Sequence, residues 1–254
     1  MAKLHEELIH LATQKIKGAK QAVVFTGAGI STPSGIPDFR SPNSGLWERY
    51  DPFEVASLSA FRHHPEKFYG WIRPLIATAR AAQPNQAHIC LAKMEAAGII
   101  QAVITQNIDG LHQKAGSQTV IELHGNAKTA TCLTCGRHYE DDWLVEEQLE
   151  KSQYPRCTDC GGVLKPDVIL FEEQLPLKAW MRAQDFCDRA DLILVVGSSL
   201  EVYPANSLPE SGVAHGACLI INTKTDTHLD HLADIVIHSD LIETIPEICR
   251  LLLP

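Results

Sequence analysis

The chain has 254 residues with a formal net charge of −9, 45% of them apolar and 21% charged, a globular balance that excludes disordered and fibrous classes. An acidic chain has no broad attraction for DNA or anionic lipid, so neither sequence-specific nucleic-acid binding nor a membrane partner is expected. The most apolar runs, Leu192 to Val196 and Leu219 to Ile221, are too short to cross a bilayer, and Lys3, Glu6 and Glu7 interrupt the N-terminus where a signal peptide would be apolar; a cytoplasmic monomer is the expectation.

Leu4, Leu8, Leu11, Ala12 and Ile16 fall at helical spacing, and Gly18 ends that helix. Ala22-Val23-Val24-Phe25 reads as a buried strand running into Gly27-Ala28-Gly29-Ile30-Ser31-Thr32-Pro33-Ser34-Gly35-Ile36-Pro37-Asp38-Phe39-Arg40. Glycines at a strand exit let a phosphate approach bare backbone. The third glycine of the usual dinucleotide fingerprint is replaced by Thr32, and Pro33 and Pro37 stop a regular helix. A long shaped loop must follow, suited to wrapping a cofactor.

The next segment, 41–82, is loop and helix rich in aromatics, among them Trp47, Phe53, Phe61, Phe68, Tyr69 and Trp71. Beyond it, short apolar runs alternate with amphipathic ones. Ala87 to Ala97 and Ala179 to Ala190 read as helices; Ala102 to Ile104, Thr119 to Ile121, Leu192 to Val196, Leu219 to Ile221 and Ile235 to Ile237 read as strands. Continuous apolarity means strands buried on both faces, hence a parallel sheet covered by helices. The expected fold is α/β: a Rossmann-like doubly wound sheet with a smaller lobe made of the 41–82 insertion and a cysteine module over 129–165.

That module carries Cys132-Leu133-Thr134-Cys135 and Cys157-Thr158-Asp159-Cys160, with Gly136 after the first pair and Gly161-Gly162 after the second. Two such knuckles suit a zinc ribbon, and four thiolates close a tetrahedral shell with no open position, so Cys132, Cys135, Cys157 and Cys160 are expected to hold one structural Zn²⁺. Cys90, Cys187, Cys218 and Cys249 lie in expected helices or a strand and read as small core residues.

Four strand exits are polar: Thr105-Gln106-Asn107-Ile108-Asp109-Gly110-Leu111-His112, Glu122-Leu123-His124-Gly125-Asn126, Gly197-Ser198-Ser199-Leu200, and Asn222-Thr223-Lys224. In a parallel sheet such exits face the ligand crevice. Taken together with the first loop and the cysteine module between the second and third exits, they resemble, in order and content, the sirtuin family of NAD-dependent protein deacylases over nearly the whole chain.

The resemblance implies one catalytic domain over 1–254, with a core at about 1–40, 83–128 and 166–254, a helical cofactor-loop insertion at about 41–82 and the zinc module at about 129–165. It implies NAD contacts from Ala28, Thr32, Phe39 and Arg40, with Phe39 shielding the ribose centre and Arg40 facing phosphate. Gln106, Ile108 and Asp109 would surround the nicotinamide and its ribose, with Asn107 as a catalytic partner ordering hydroxyls or a water. Gly197, Ser198 and Ser199 would contact phosphate or ribose, Asn222 and Thr223 the adenosine ribose, and Asp240 the adenine end. His124 matches the catalytic base, and an imidazole titrates near neutrality as that task needs. Val168, Ile169, Phe171 and Glu173, on what looks like a strand over Pro166 to Glu173, with Val202 on the segment after Leu200, would take the acetyl-lysine peptide.

The activity implied is NAD-dependent lysine deacetylation yielding nicotinamide and O-acetyl-ADP-ribose. ADP-ribosyl transfer or NAD hydrolysis on the same scaffold, and a non-catalytic NAD or acyl-lysine binding module, are the alternatives. Two departures bear on specificity. Glu172 stands where many sirtuins have glycine, adding negative charge at the peptide segment. Family members that favour acidic acyl groups carry Tyr-x-x-Arg, whereas Tyr69-Gly70-Trp71-Ile72 ends in isoleucine with Arg73 displaced by one, so uncharged acyl groups are expected.

Overall fold

Five apolar residues in a row must be covered on both faces, and Leu192–Val196 is: each of the five is at most 1% exposed. The computed structural model describes residues 2–41, 45–140 and 154–253; positions 42–44 of the expected helical insertion and 141–153 of the expected cysteine module lie outside the described residues. In chain order the described strands are β1 (Ala22–Thr26), β2 (Ile100–Thr105), β3 (Val120–Glu122), β4 (Gly125–Cys132), β5 (His138–Tyr139), β6 (Leu164–Val168), β7 (Leu192–Val196), β8 (Cys218–Asn222) and β9 (Ile235–Ile237). The described helices are α1 (Ala2–Gly18), α2 (Pro52–Val55), α3 (Leu58–His63), α4 (Pro65–Ala81), α5 (Gln86–Ala96), α6 (Leu111–Ala115), α7 (Leu177–Arg189), α8 (Ser207–Ala214) and α9 (Leu241–Leu252). They form two units, one of Met1–Ile36, Ala82–Leu123 and Leu177–Pro254, the other of Pro37–Ala81 and His124–Pro176.

The first unit is built on a six-stranded sheet in the order β3-β2-β1-β7-β8-β9, every pairing parallel. Side chains alternate across a strand, and the two faces fill accordingly. Val24, Leu192 and Leu194 pack with Ile9 and Ile16 of α1, Leu91 and Met94 of α5 and Ile245 of α9. Phe25, Ile193 and Val195 point the other way, onto Ala183 and Cys187 of α7 and Leu208 of α8. Each fully buried aliphatic contributes roughly 1.5–3 kcal/mol of transfer free energy, so these two layers carry the unit. The strand order reverses between β1 and β7, which puts the ligand-binding switch point of a doubly wound sheet at the exits of those two strands.

The second unit contains an antiparallel sheet in the order β5-β4-β6 and helices α2–α4. It is wider than the 41–82 and 129–165 segments suggest, because β4 already starts at Gly125 and β6 is part of the same sheet. The extended run expected over Pro166 to Glu173 is a strand only from Leu164 to Val168. Past Val168 the backbone turns: the Leu170 N–H reaches the Glu173 carboxylate at 2.8 Å, and Phe171 bridges to Ser57 instead. Tyr69 of α4 ties helices to sheet, its hydroxyl donating to the Leu164 carbonyl at 2.7 Å while its ring meets Phe61 and Phe68 edge-on or tilted.

Candidate active site

At the switch point the backbones of the β1 and β7 exits touch. The Gly29 N–H donates to the Gly197 carbonyl at 2.8 Å, and the Gly197 N–H donates to the carbonyl of Asn222, the last residue of β8, at 2.9 Å. A Cβ on Gly29 would lie 2.7 Å from the Gly197 oxygen, and one on Gly197, at φ 63°, would lie 2.4 Å from the Ile30 nitrogen. Only glycine fits either position. The prolines act as the sequence suggests: Gly27 is followed by two short 3₁₀ turns, Ala28–Ile30 and Thr32–Ser34, rather than a helix. Ala28 is half-buried in the first; Thr32 opens the second and donates its hydroxyl to the Gly29 carbonyl.

The β2 exit locks onto this loop. Asn107, buried, donates both amide hydrogens, to the Gly27 carbonyl and the Ser31 hydroxyl, each at 3.1 Å. Ser31 in turn donates to Asp109 at 2.7 Å, and burial raises the Asp109 carboxyl above its ordinary pKa, against the Leu111 N–H and Ser31 bonds that lower it. Gln106 donates to the Ser198 hydroxyl at 2.8 Å, joining the β2 and β7 exits; Ile108 and Ser199 are half-buried nearby in the chain. Below, the Thr26 hydroxyl donates to Thr105 at 2.8 Å, so His112 must offer it the Nε2 proton, at 2.9 Å. Burial lowers the His112 pKa to about 3 and that of His88, whose ring stacks edge-on at 4.8 Å, to about 4, so both are neutral.

Asn222 is fully buried and donates to the Ile237 carbonyl at 2.9 Å, while its Oδ1 has no partner among the described residues. A buried acceptor left open is costly, and a ligand hydroxyl would satisfy it; with the bare glycine backbone, this fits a dinucleotide. Thr223 is buried, its carbonyl 3.1 Å from His238 Nδ1. Asp240 caps α9 through the Ile242 N–H; burial alone would raise its carboxyl, but Lys224 at 3.0 Å and that N–H hold it below the usual range. Val202 is half-buried, its carbonyl accepting from Asn206.

In the second unit, Asp38 accepts from the Arg40 and Ser41 N–H groups and so curls the chain that presents Phe39 and Arg40. The Phe39 ring lies 5.1 Å from Trp47, which stacks on Trp71 at 5.7 Å and meets Phe171 at 6.1 Å. His124, half-buried, immediately precedes β4, and its backbone carbonyl accepts the Ile169 N–H at 2.9 Å. Val168 pairs with Gly125, and Phe171 exchanges backbone bonds with Ala56 and Leu58. Glu172 sits at φ 73° with its carboxylate on the Ser59 N–H and hydroxyl, bonds that hold its pKa down. Glu173 turns its carboxylate onto the Leu170 N–H and the Lys165 ammonium.

The four sulfurs of Cys132, Cys135, Cys157 and Cys160 lie within 4.8 Å of one another, with Cys132 to Cys160 at 3.5 Å and Cys135 to Cys157 at 3.6 Å. A tetrahedral ion with Zn–S near 2.3 Å needs sulfurs roughly 3.8 Å apart. Backbone N–H groups of Thr134 and Gly162 point at Cys132 and Cys160 sulfur, and the Tyr139 hydroxyl donates to Cys157 at 3.1 Å, drawing that thiol down to about 6. The donor set is that of a closed structural zinc site.

A model of the Sir2 family matches residues 27–204. The chain belongs to the Sir2 family. It is 47% identical over 232 residues to NAD-dependent protein deacetylase 2 of Caldanaerobacter subterraneus subsp. tengcongensis, covering 91% of each chain. With NAD-dependent protein deacetylase of Saccharolobus solfataricus it shares 45% identity over 246 residues, 97% of this chain and 94% of that one. A solved Sir2 structure with a p53 peptide and NAD⁺ superposes with a TM-score of 0.88 at 40% identity, covering 95% of this chain and 97% of that one. A Sir2 histidine variant with a deacetylated p53 peptide and 3′-O-acetyl-ADP-ribose gives 0.91 at 41% identity, again over 95% and 97%.

In this Sir2 chain three contributors escaped sequence reasoning. Ser31 joins Asn107 to Asp109; Asn85, the α5 cap, donates to the Ile30 carbonyl and Ser34 hydroxyl and so pins the loop from below; Trp47 connects Phe39 to Phe171. Ser31 lies inside the loop motif and Asn85 follows Pro84 at a helix start, so position was the available signal. Gly125 is a fourth constraint. Its φ is 69°, and a Cβ would fall 1.9 Å from the Asp167 carbonyl. Gly125→Ala in the Sir2 chain is expected to lose about 1–2 kcal/mol from the left-handed backbone and about 1–3 kcal/mol from forcing β4 off β6. Gly136→Ala, at φ 74° but facing open space, bears only the first cost. Urea unfolding of the two variants side by side measures the difference, and equal losses would refute the clash.

Proposed function

We propose that this protein is an NAD-dependent protein lysine deacetylase that releases nicotinamide and O-acetyl-ADP-ribose. The observation that carries the reading is a complete set of dinucleotide-type strand exits in the first unit and His124 at the head of β4 in the second, on a chain 45% or more identical to enzymes named NAD-dependent protein deacetylases. NAD is the co-substrate, and its ribose supplies the electrophilic centre. The chain's own residues then have separable tasks.

Gly197, Ser198 and Ser199, with Ala28 and Thr32, hold the phosphates and adjoining ribose at the exits of β1 and β7, where a phosphate can approach glycine backbone. Asn222 offers its open Oδ1 to an adenosine ribose hydroxyl, with Thr223 beside it and Asp240 at the adenine end. Gln106, Ile108, Asp109 and Asn107 line the nicotinamide end; Asn107 keeps the loop fixed through Gly27 and Ser31. Phe39, braced by Trp47, shields the reacting carbon from water, and Arg40 faces phosphate. His124 takes a proton from a ribose hydroxyl as the acyl group moves to it, general-base help worth roughly 10²- to 10⁴-fold. Val168, Ile169, Phe171 and Glu173, with Val202, form the peptide-binding segments, where backbone pairing accepts many sequences.

The acyl chain preferred is uncharged. Tyr69 spends its hydroxyl on the Leu164 carbonyl and buries its ring, and Ile72, itself buried, supplies no cation. No disulfide joins any of the eight cysteines, four of which form the zinc set, which supports a reducing, cytoplasmic setting; among the described residues no helix is long and apolar enough to cross a membrane.

Mass spectrometry of an acetyl-lysine peptide incubated with the protein tests the reading. Free peptide, nicotinamide and acetyl-ADP-ribose are expected in equal amounts and only with NAD. Nicotinamide without deacetylated peptide would favour NAD hydrolysis or ADP-ribosyl transfer instead.

A further inference from the structure

We infer that Lys165 is a positioning residue for substrate: its buried ammonium sets the shape of the 168–173 turn that receives the acetyl-lysine peptide. The inference rests on the deacetylase reading. Lysine is rarely buried unless paired, yet Lys165 is only 7% exposed. Its ammonium has three donors and three acceptors: the Val168 carbonyl at 2.7 Å, the Glu173 carboxylate at 2.9 Å and the Pro166 carbonyl at 3.2 Å. The same carboxylate oxygen also accepts the Leu170 N–H at 2.8 Å. One ion pair therefore fixes four points from the end of β6 through the turn, 166, 168, 170 and 173.

Stability alone does not call for this arrangement, since desolvating a buried pair offsets much of its attraction and an apolar pair often serves as well. What the charges add is direction. A methyl group cannot orient the Val168 carbonyl or the Leu170 N–H, and those groups lie on the backbone that a peptide would pair with. The opposite side of the turn is already committed, Ile169 to the His124 carbonyl and Phe171 to Ala56 and Leu58. The His124 backbone keeps its own bonds to this segment, Gly125 paired with Val168 and the His124 carbonyl on the Ile169 N–H, neither of which uses the Lys165 ammonium. Loss of Lys165 should thus reach peptide binding and spare the chemical step.

Lys165→Met alone strands the Glu173 carboxylate, so the test uses K165M/E173Q, which removes both charges together, with K165R and E173Q as companions. For K165M/E173Q, peptide KM is expected to rise about 10-fold or more with kcat within about 3-fold of the parent, the pattern of lost ground-state binding. NAD affinity by calorimetry and one zinc per chain should be unchanged. K165R, which keeps a buried donor cation, should restore most of the peptide KM, and E173Q, which keeps an acceptor for Leu170 and the Lys165 bonds to Val168 and Pro166, should raise it only slightly. A folded double variant with parental peptide KM would overturn the inference, as would peptide and NAD affinities weakening in step. If the double variant fails to fold, K165A/E173Q, which also removes both charges and leaves room for water in place of the ammonium, takes its place, and parental peptide KM in that folded variant overturns the inference likewise. Fluorescence anisotropy of a labelled acetyl-lysine peptide separates the two readings: a parent that binds peptide without turnover refutes the deacetylase assignment while the variant-to-parent Kd ratio still reads Lys165, and a parent that does neither refutes both.

Discussion

Replacing His124 with alanine is expected to leave a folded, zinc-loaded protein that binds NAD but deacetylates about 10²- to 10⁴-fold more slowly. The structure explains why fold and activity should separate. The contact that links this residue to the peptide segment is made by its backbone carbonyl, which accepts the Ile169 N–H, and alanine retains it. The imidazole is half-buried rather than packed in a core, so its removal leaves no deep cavity. Single-turnover kinetics with calorimetric NAD binding and circular dichroism on the same preparation give the comparison. Turnover within a few-fold of the parent would remove His124 from the base role, and lost NAD binding would show that the residue organises the cofactor rather than moving a proton.

Stripping the zinc, by a chelator or through Cys157→Ser, should have the largest effect on stability. Among the described residues, the β5-β4-β6 sheet buries a small hydrophobic cluster of Ala130, Cys132, Tyr139, Cys157 and Leu164, two of which are metal ligands. So small a core does not hold a fold unaided, whereas zinc binding to comparable small modules is worth roughly 10–16 kcal/mol in apparent terms. With the ion gone the sheet is expected to unfold, and deacetylation with it, because β4 begins at the residue after His124 and β6 ends at Val168. The six-stranded parallel sheet has its own two-layered core and should retain its far-ultraviolet signal. Metal content by mass spectrometry, followed against activity and the near-ultraviolet signal of Tyr139, tests this. A zinc-free protein with unchanged activity would show that the sheet stands on side-chain packing alone.

The parallel sheet was readable because burial on both faces leaves an unbroken apolar run, as at Leu192–Val196, and the zinc set because thiolates must recur at fixed spacing. β4 was not, since Gly-Asn-Ala-Lys-Thr-Ala-Thr-Cys is polar and partly exposed and gives no clean alternation. Lys165 was invisible for a related reason: nothing in a sequence separates a buried lysine from a solvated one until its acceptors, one, three and eight positions further on, are folded around it. The turn past Val168 was read as extended from the resemblance to the family's peptide-binding strand; what bends it is the carboxylate of Glu173 capturing the Leu170 N–H. The polar residues at the strand exits were legible as types, but their mutual bonds, such as Ser31 between Asn107 and Asp109, are set by three-dimensional closure.

Those mutual bonds also govern how the first loop meets its ligand. Within the chain itself, Asn107, Asp109, Thr32 and Asn85 already engage the Gly27, Gly29 and Ile30 carbonyls and the Ser31 and Ser34 hydroxyls. The loop is preorganised: its conformational entropy is lost during folding, and little remains to be lost when a dinucleotide arrives. Affinity at this end then reflects new contacts almost alone, and substitutions such as Ser31→Ala or Asn85→Ala would weaken binding by loosening the free protein rather than by deleting a ligand contact.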